Sequence, residues 1–248
     1  MNSQYIFGVN AVTERLKLGK DGIEKCLIKS GDLSSRLSDL LLSAEQIACG
    51  IERVSDEDFS KMTEVNHQGV GLILHPPKVK HENYLYELLN KQEENHLLLV
   101  LDGVTDPRNL GACLRSAATL GVDAVIVPKD NSAPLNDAAM KTASGGASHV
   151  PLIQVVNLSR CLNKLKDEGV WIVGTLLDSS QSISDIDLKG NIAIVMGSEE
   201  KGLRQKTLKN CDFLATIPMQ TENFGFNVSV ATGICLYEVQ RQRQESLK

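Results

Sequence analysis

Three stretches of this 248-residue chain place polar side chains and glycines inside runs that otherwise read as buried. In "LDGVTDPRNLGACLRSAATLG" (101–121), Asp106-Pro107 makes a turn, Asn109 is placed to cap the helix that follows, and Gly121 ends it. Arg115 interrupts Leu114, Ala117, Ala118 and Leu120. Helical side chains lean toward the N-terminus, so a guanidinium here can reach back to a ligand at the preceding strand end. In "MGSEEKGL" (196–203), Gly197 and Gly202 permit close backbone approach, and Glu199 offers a carboxylate to hydrogen-bond donors or to a helix dipole. In "NFGFNVSVATGICLYE" (223–238), Asn227 and Ser229 bring polar atoms to a helix start. Ser229, Thr232 and Gly233, at i, i+3 and i+4, leave one helix face nearly without bulk. A helix apolar or small on all sides is expected to be buried on all sides. These side chains can bind and orient a polar ligand through hydrogen bonds and one positive charge.

Each residue also has an ordinary explanation when taken singly. Asn109 serves as a cap, Arg115 as a snorkelling surface arginine, Glu199 as part of a charged turn, and the small residues of 229–235 as a tight packing surface. No G-x-x-x-x-G-K-[ST] loop occurs, and no G-x-G-x-x-G follows an apolar run, so nucleotide hydrolysis and dinucleotide binding lose support. Six cysteines, at 26, 49, 113, 161, 211 and 235, never approach C-x-x-C spacing and read as buried free thiols, so no metal site is expected. The first thirty residues do not resemble a signal peptide and no apolar run is long enough to span a bilayer, so the expected location is the cytoplasm, without membrane association. The net charge of -5 argues against a generic polyanion binder but leaves room for a local basic face.

The elements that must position these residues fall into two groups. "IEKCLIKS", a helical pattern from Leu33 to Ala48, "IERVS", a helix start at Ser55-x-x-Asp58, and "GVGLIL" form a small α/β unit. Pro76-Pro77 closes it, and the charged "KVKHENYLYELLNKQEEN" reads as a linker with room for a short helix. From His96 onward, apolar runs ("LLLVLDGV", "DAVIV", "VPLIQV", "VWIVGTLL", "NIAIVMG", "FLATIPM") alternate with helical patterns. This predicts a mostly parallel sheet covered on both faces, with ligands at the carboxyl ends of its strands.

Taken together and in this order, "LDGVTDPRNLGACLRSAATLGVDAVIVPKD", "IVMGSEEKGL" and "IPM" followed by "NVSVATGICLYEVQRQR" resemble the three motifs of the SpoU (TrmH-type) branch of the SPOUT methyltransferases. "YIFGVNAVTERL" and the small α/β unit are similar to that family's N-terminal domain, so the resemblance spans nearly the whole chain. It implies an α/β fold in which a C-terminal SPOUT domain (96–248) has a mostly parallel sheet and a deep trefoil knot. A small L30e-like RNA-binding domain (1–76) precedes it across a linker (77–95). It implies S-adenosyl-L-methionine as methyl donor, 23S ribosomal RNA as substrate, and a homodimer formed through the knotted domain. The reaction implied is attack of a guanosine ribose 2'-hydroxyl on the sulfonium methyl. Gly197, Ile217, Phe226 and Thr175 would hold the donor. Arg115 would bind the target phosphate, and Asn109, Glu199, Asn227 and Ser229 would orient ribose, base and loop. The chain departs from the common Ser-Leu-Asn pattern at Gly225 and Phe226. Two other functions fit the same fold, an inactive RNA-binding assembly factor and a transfer-RNA methyltransferase.

Overall fold

The structure is a computed structural model. It describes residues 4–17, 19–20, 22–75, 77–90, 95–199, 201–220 and 225–246. The chain divides into two compact units, Met1–Pro77 and Lys78–Lys248. Pro76 and most of the "QTENF" segment lie outside the described residues.

The first unit runs β1 (Gln4–Phe7), α1 (Val9–Lys17), β2 (Ile23–Lys29), α2 (Ser35–Gln46), β3 (Ile51–Val54), α3 (Asp56–Met62) and β4 (Val70–Leu74). Its sheet has the order β1-β4-β2-β3. β4 is antiparallel to both neighbours, and β2 is parallel to β3. The alternation in "CLI" sends Cys26 and Ile28 under α1 and α2, with Val12, Leu16, Leu37 and Leu40, and Leu27 to the other face against Phe59. Ser55 caps α3, its hydroxyl accepting the Asp58 N–H at 3.1 Å and donating to the Asp58 carboxylate at 2.7 Å. Lys17 pairs with Glu14 and Lys25 with Glu52 at the surface of this unit.

The second unit continues with β5 (Lys80–His81), α4 (Glu82–Leu89), β6 (Leu97–Asp102), α5 (Pro107–Thr119), β7 (Ala124–Pro128), α6 (Asp137–Ala143), β8 (Leu152–Val155) and α7 (Leu158–Asp167). β9 (Trp171–Thr175), β10 (Ile192–Gly197), α8 (Gln205–Leu208), β11 (Phe213–Ala215) and α9 (Val228–Glu245) complete it. Seven strands form one sheet in the order β11-β9-β10-β6-β7-β8-β5, and every neighbouring pair is parallel. Because β6 is buried on both faces, its leucines divide by parity. Leu97, Leu99 and Leu101 pack with α5, α6 and α9, while Leu98 and Val100 pack with α4 and α7.

The segment read as a linker therefore begins with secondary structure. β5 pairs with β8, and α4 buries Leu85 completely while half-buried Tyr84, Leu88 and Leu89 pack on the same cluster. Glu87 lies on the outer side of a helix whose apolar residues, at 84, 85, 88 and 89, follow the i, i+4 rule, while Glu82 is held by Arg160 at 3.0 Å and by the Tyr86 hydroxyl at 2.8 Å. The six cysteines are all free. Burial pushes Cys26, Cys161 and Cys235 up to about 12, and Cys113 and Cys211 up to about 11.

Close approach of α5 to its neighbours rests on two glycines. A Cβ on Gly111 would lie 2.3 Å from the Ala139 carbonyl oxygen of α6, and one on Gly146 would lie 2.9 Å from the Arg115 Cα. Gly111→Ala is expected to destabilise the second unit by about 1–3 kcal/mol. Gly190→Ala, where a Cβ meets nothing within 4 Å, is expected to change stability by less than about 0.5 kcal/mol. Thermal unfolding of both variants checks this, and equal midpoints would contradict it.

Candidate active site

β6, β9, β10 and β11 end at Asp102, Thr175, Gly197 and Ala215, so their carboxyl ends form one rim. Two clefts open there. The larger, about 720 Å³, is walled by Thr175, Leu176, Leu177, Ile217, Met219 and Phe226. The smaller, about 550 Å³, is more polar and includes Asp102, Asp106, Asn109, Asn131 and Arg204. Ser198, Glu199, Lys201, Gly202 and Val228 line both.

That common wall is a tight turn. Ser198 and Gly202 exchange backbone hydrogen bonds at 3.1 and 2.8 Å, and Gly202 takes φ +61°. A Cβ at Gly197 would fall 2.2 Å from the Gly202 carbonyl carbon, so only glycine lets the strand end pass under the turn. Glu199 stands on this turn as an acceptor for two helices. Its Oε1 takes N–H groups from the Asn109 side chain (3.2 Å), the Val228 backbone (3.1 Å) and the Asn227 side chain. Asn227 Nδ2 also donates to Asn109 Oδ1 at 3.0 Å. Asn227 Oδ1 accepts from the Ser229 backbone N–H (3.0 Å) and hydroxyl (2.6 Å), which caps α9.

Asn109, Glu199, Asn227 and Ser229 thus meet in one network, and Gly197, Ile217, Phe226 and Thr175 all line the larger cleft. Thr175 Oγ1 is turned to the Val195 carbonyl at 3.0 Å. Arg115 is not with them. It sits on the exposed side of α5, nearly two turns beyond Asn109, and lines neither cleft.

Three local expectations change. Asn109 does not cap α5: Asp106 does, accepting the Arg108 N–H at 2.8 Å, and Pro107 opens the helix. Asn109, two residues further on, is therefore free to reach Glu199. Glu199 in turn serves the first turn of α9 rather than a helix after its own loop. Finally, α9 is not buried on all sides. Thr232 and Cys113 meet at 3.5 Å and Gly233 faces Ser116 across the α5 contact, but Val230 and Tyr237 are 49% and 61% exposed.

Sequence reasoning also missed an ion pair whose carboxylate is buried. Gly197 of β10 lies opposite Asp102 of β6, and the chain returns so that the Arg204 backbone N–H (3.1 Å) and Nε (2.6 Å) both donate to the Asp102 carboxylate. An acid closing the apolar run "LLLVL" was the available signal.

Two adjoining clefts at the carboxyl rim of a parallel sheet, one largely apolar and one more polar, offer room for two ligands side by side, the arrangement that a group-transfer enzyme requires. Residues 96–237 match the family model for the SpoU rRNA Methylase family, and residues 5–79 match that for RNA 2'-O ribose methyltransferase substrate binding. The chain belongs to the SpoU rRNA methylase family. It is 44% identical over 238 residues to the 23S rRNA (guanosine-2'-O-)-methyltransferase RlmB of Pseudomonas aeruginosa, covering 96% of each chain. It is equally identical over 239 residues to that of Coxiella burnetii, again covering 96% of each. Among solved structures, the SpoU methyltransferase AviRb from Streptomyces viridochromogenes in complex with the cofactor AdoMet has a TM-score of 0.70 at 20% identity, covering 98% of this chain and 91% of that one. The AdoMet-bound rRNA methyltransferase from Sinorhizobium meliloti has a TM-score of 0.69 at 24% identity, covering 96% and 87%. These two show the common fold.

Removing the acceptor on which two helices converge should loosen the start of α9 before it affects the whole domain. Glu199→Ala is expected to speed hydrogen exchange at the Val228 amide about tenfold, the equivalent of one lost hydrogen bond, with little change in thermal midpoint. Unchanged protection would show that Glu199 does not hold the helix.

Proposed function

We propose that this chain transfers the methyl group of S-adenosyl-L-methionine to the ribose 2'-oxygen of a guanosine in 23S ribosomal RNA. One observation carries the reading: Glu199 lines both clefts and is bonded to Asn109 of the smaller and to Asn227 of the larger, with Ser229 bonded behind Asn227. The family match and the relatives that act on 23S guanosine support it. The larger cleft suits the donor, because apolar walls at Leu176, Ile217 and Phe226 alternate with backbone groups near Gly197 and the Thr175 hydroxyl. When bound, S-adenosyl-L-methionine supplies a methyl group activated by sulfonium charge.

The residues of the chain do the rest. Glu199 has Oε1 committed to three N–H donors, which leaves Oε2 for the ribose hydroxyl. Ser229 gives its proton to Asn227 and keeps its lone pairs for a substrate donor. Asn109 and Asn227 hold both in register. The N-terminal unit grips the RNA, in keeping with its match to a substrate-binding family. Among the described residues no helix is long and apolar enough to cross a membrane, and the site of action we assign is the cytoplasm.

Arg115 belongs in this scheme as the group that binds the target phosphate, delivered from a second copy of the chain. The exposed Val230 and Tyr237 support pairing of the second unit with itself along α9. We also read the path into α9 as a deep trefoil knot. In support, Gln242 bonds to Ile186 and Leu188, and Arg243 to Gly190 and His96, tying the end of α9 to the β9–β10 crossover. An experimental chain trace that pulls free from its ends would remove the knot.

Unmodified 23S transcript, incubated with the enzyme and labelled S-adenosyl-L-methionine, is expected to gain label and one new primer-extension stop at a guanosine. No transfer would favour an assembly factor, and comparable labelling of transfer RNA would favour the other substrate. Arg115→Ala and Asn227→Ala are each expected to reduce turnover at least about 10²-fold. Mixed and allowed to exchange subunits, they are expected to regain part of the wild-type rate, because one site of the mixed dimer is intact. Failure to regain any would contradict delivery across the dimer.

A further inference from the structure

The smaller cleft holds a guanidinium whose position is fixed before any ligand arrives. The Asp102 side chain is fully buried at the end of β6, and each of its two oxygens accepts one N–H of Arg204. A carboxylate taken wholly out of water is tolerated when paired in this way, and its loss would leave the partner badly placed. Half of the Arg204 side chain remains exposed, and among the described residues Nε is the only guanidinium nitrogen engaged. Arg204 lines the smaller cleft, and the planar fork of its two Nη groups is oriented by Asp102, whose side chain has no exposed surface.

The charge around the fork indicates what it binds. Asp102, Asp106 and Glu199 line this cleft against Lys201 and Arg204, so the lining is negative overall. Asp102 already neutralises Arg204. A phosphate would meet a neutral pair and two further carboxylates offset by Lys201 alone, a net negative charge. A neutral ligand with two adjacent acceptors suits the fork better, and one that also carries donors suits the Asp106 carboxylate, whose Oδ1 takes the Arg108 N–H and whose Oδ2 has no partner among the described residues. Guanine has both features: O6 and N7 accept a bidentate arginine, while N1–H and the N2 amino group donate from the adjoining edge. Adenine places a donor where guanine has O6 and cannot close the same pair.

We propose that Arg204, positioned by Asp102, reads the target guanine through O6 and N7 in the smaller cleft. This rests on the methyltransferase reading above. Arg204 makes the contact that determines specificity, and Asp102 is a positioning residue that acts through it.

The test uses the full-length protein and a 23S rRNA fragment that contains the guanosine mapped by primer extension. Synthetic fragments carry guanosine, 7-deazaguanosine or adenosine at that one position. Wild-type enzyme is expected to lose about 10- to 100-fold in kcat/KM on 7-deazaguanosine, the discrimination typical of one bidentate base contact. Arg204→Ala is expected to lose a similar factor on guanosine but to treat guanosine and 7-deazaguanosine alike. Asp102→Asn should show the same loss of discrimination in weaker form. Calorimetric binding of S-adenosyl-L-methionine to each variant should match wild type, which separates base reading from a collapsed rim. Equal wild-type rates on guanosine and 7-deazaguanosine would overturn the proposal while leaving the methyltransferase reading intact. So would an Arg204→Ala variant that still discriminates. Absence of transfer to any fragment or to intact transcript would instead remove the reading on which the proposal rests.

Discussion

A single carboxylate oxygen ties the site together. Glu199 Oε1 collects N–H groups from the first turn of α5 and from the start of α9, although these come from positions 90 and 28 residues away. Without that acceptor, the Val228 N–H and two side-chain amides would converge with no counter-charge, at a helix start that already carries positive partial charge. The position of Glu199 depends on the strand beneath it. β10 runs beside β6 in register, so Gly197 and Asp102 end together, and the chain can turn back over both only because Gly197 has no Cβ. Asp102 then fixes the far end of the turn through Arg204. The two clefts are the two sides of this turn.

The remainder of the domain keeps that arrangement in place. α5 and α6 approach closely at Gly111, the turn at Gly146 lies against the backbone of α5, and α9 packs on α5 through Thr232 and Gly233. Tight backbone contacts leave little freedom for Asn109 and Asn227 to separate, which is how a close-packed interior transmits order to a polar site. The glycines and small residues that look like gaps in an apolar pattern are therefore what lets the polar groups meet.

Much of the layout was legible beforehand. Apolar runs gave the parallel strands, Ser55 was readable as a helix start, and the three motif stretches pointed to one rim. The pairing partners were not legible, because a cap and a long-range hydrogen bond use the same residue types. Asn109 read as a cap until Asp106 proved to hold that role. The charged segment read as a linker with room for a short helix, because the eight residues of α4 give only two turns of pattern. The open face of α9 could not be told from a buried one, since Val230, Ile234 and Tyr237 are as apolar as core residues and their surroundings are set by tertiary structure. The Asp102–Arg204 pair spans 102 residues, a separation over which neither period nor turn chemistry carries information.

The central claim is that the Glu199 turn divides donor from acceptor while touching both. A crystal structure of this chain with S-adenosyl-L-methionine tests it most directly. The account predicts the sulfonium in the larger cleft beside Gly197, its methyl directed past Glu199 toward the smaller cleft, with Asn109 and Asn227 still bonded to the carboxylate. A cofactor bound elsewhere, or one whose arrival drives Asn109 and Asn227 apart, would contradict it.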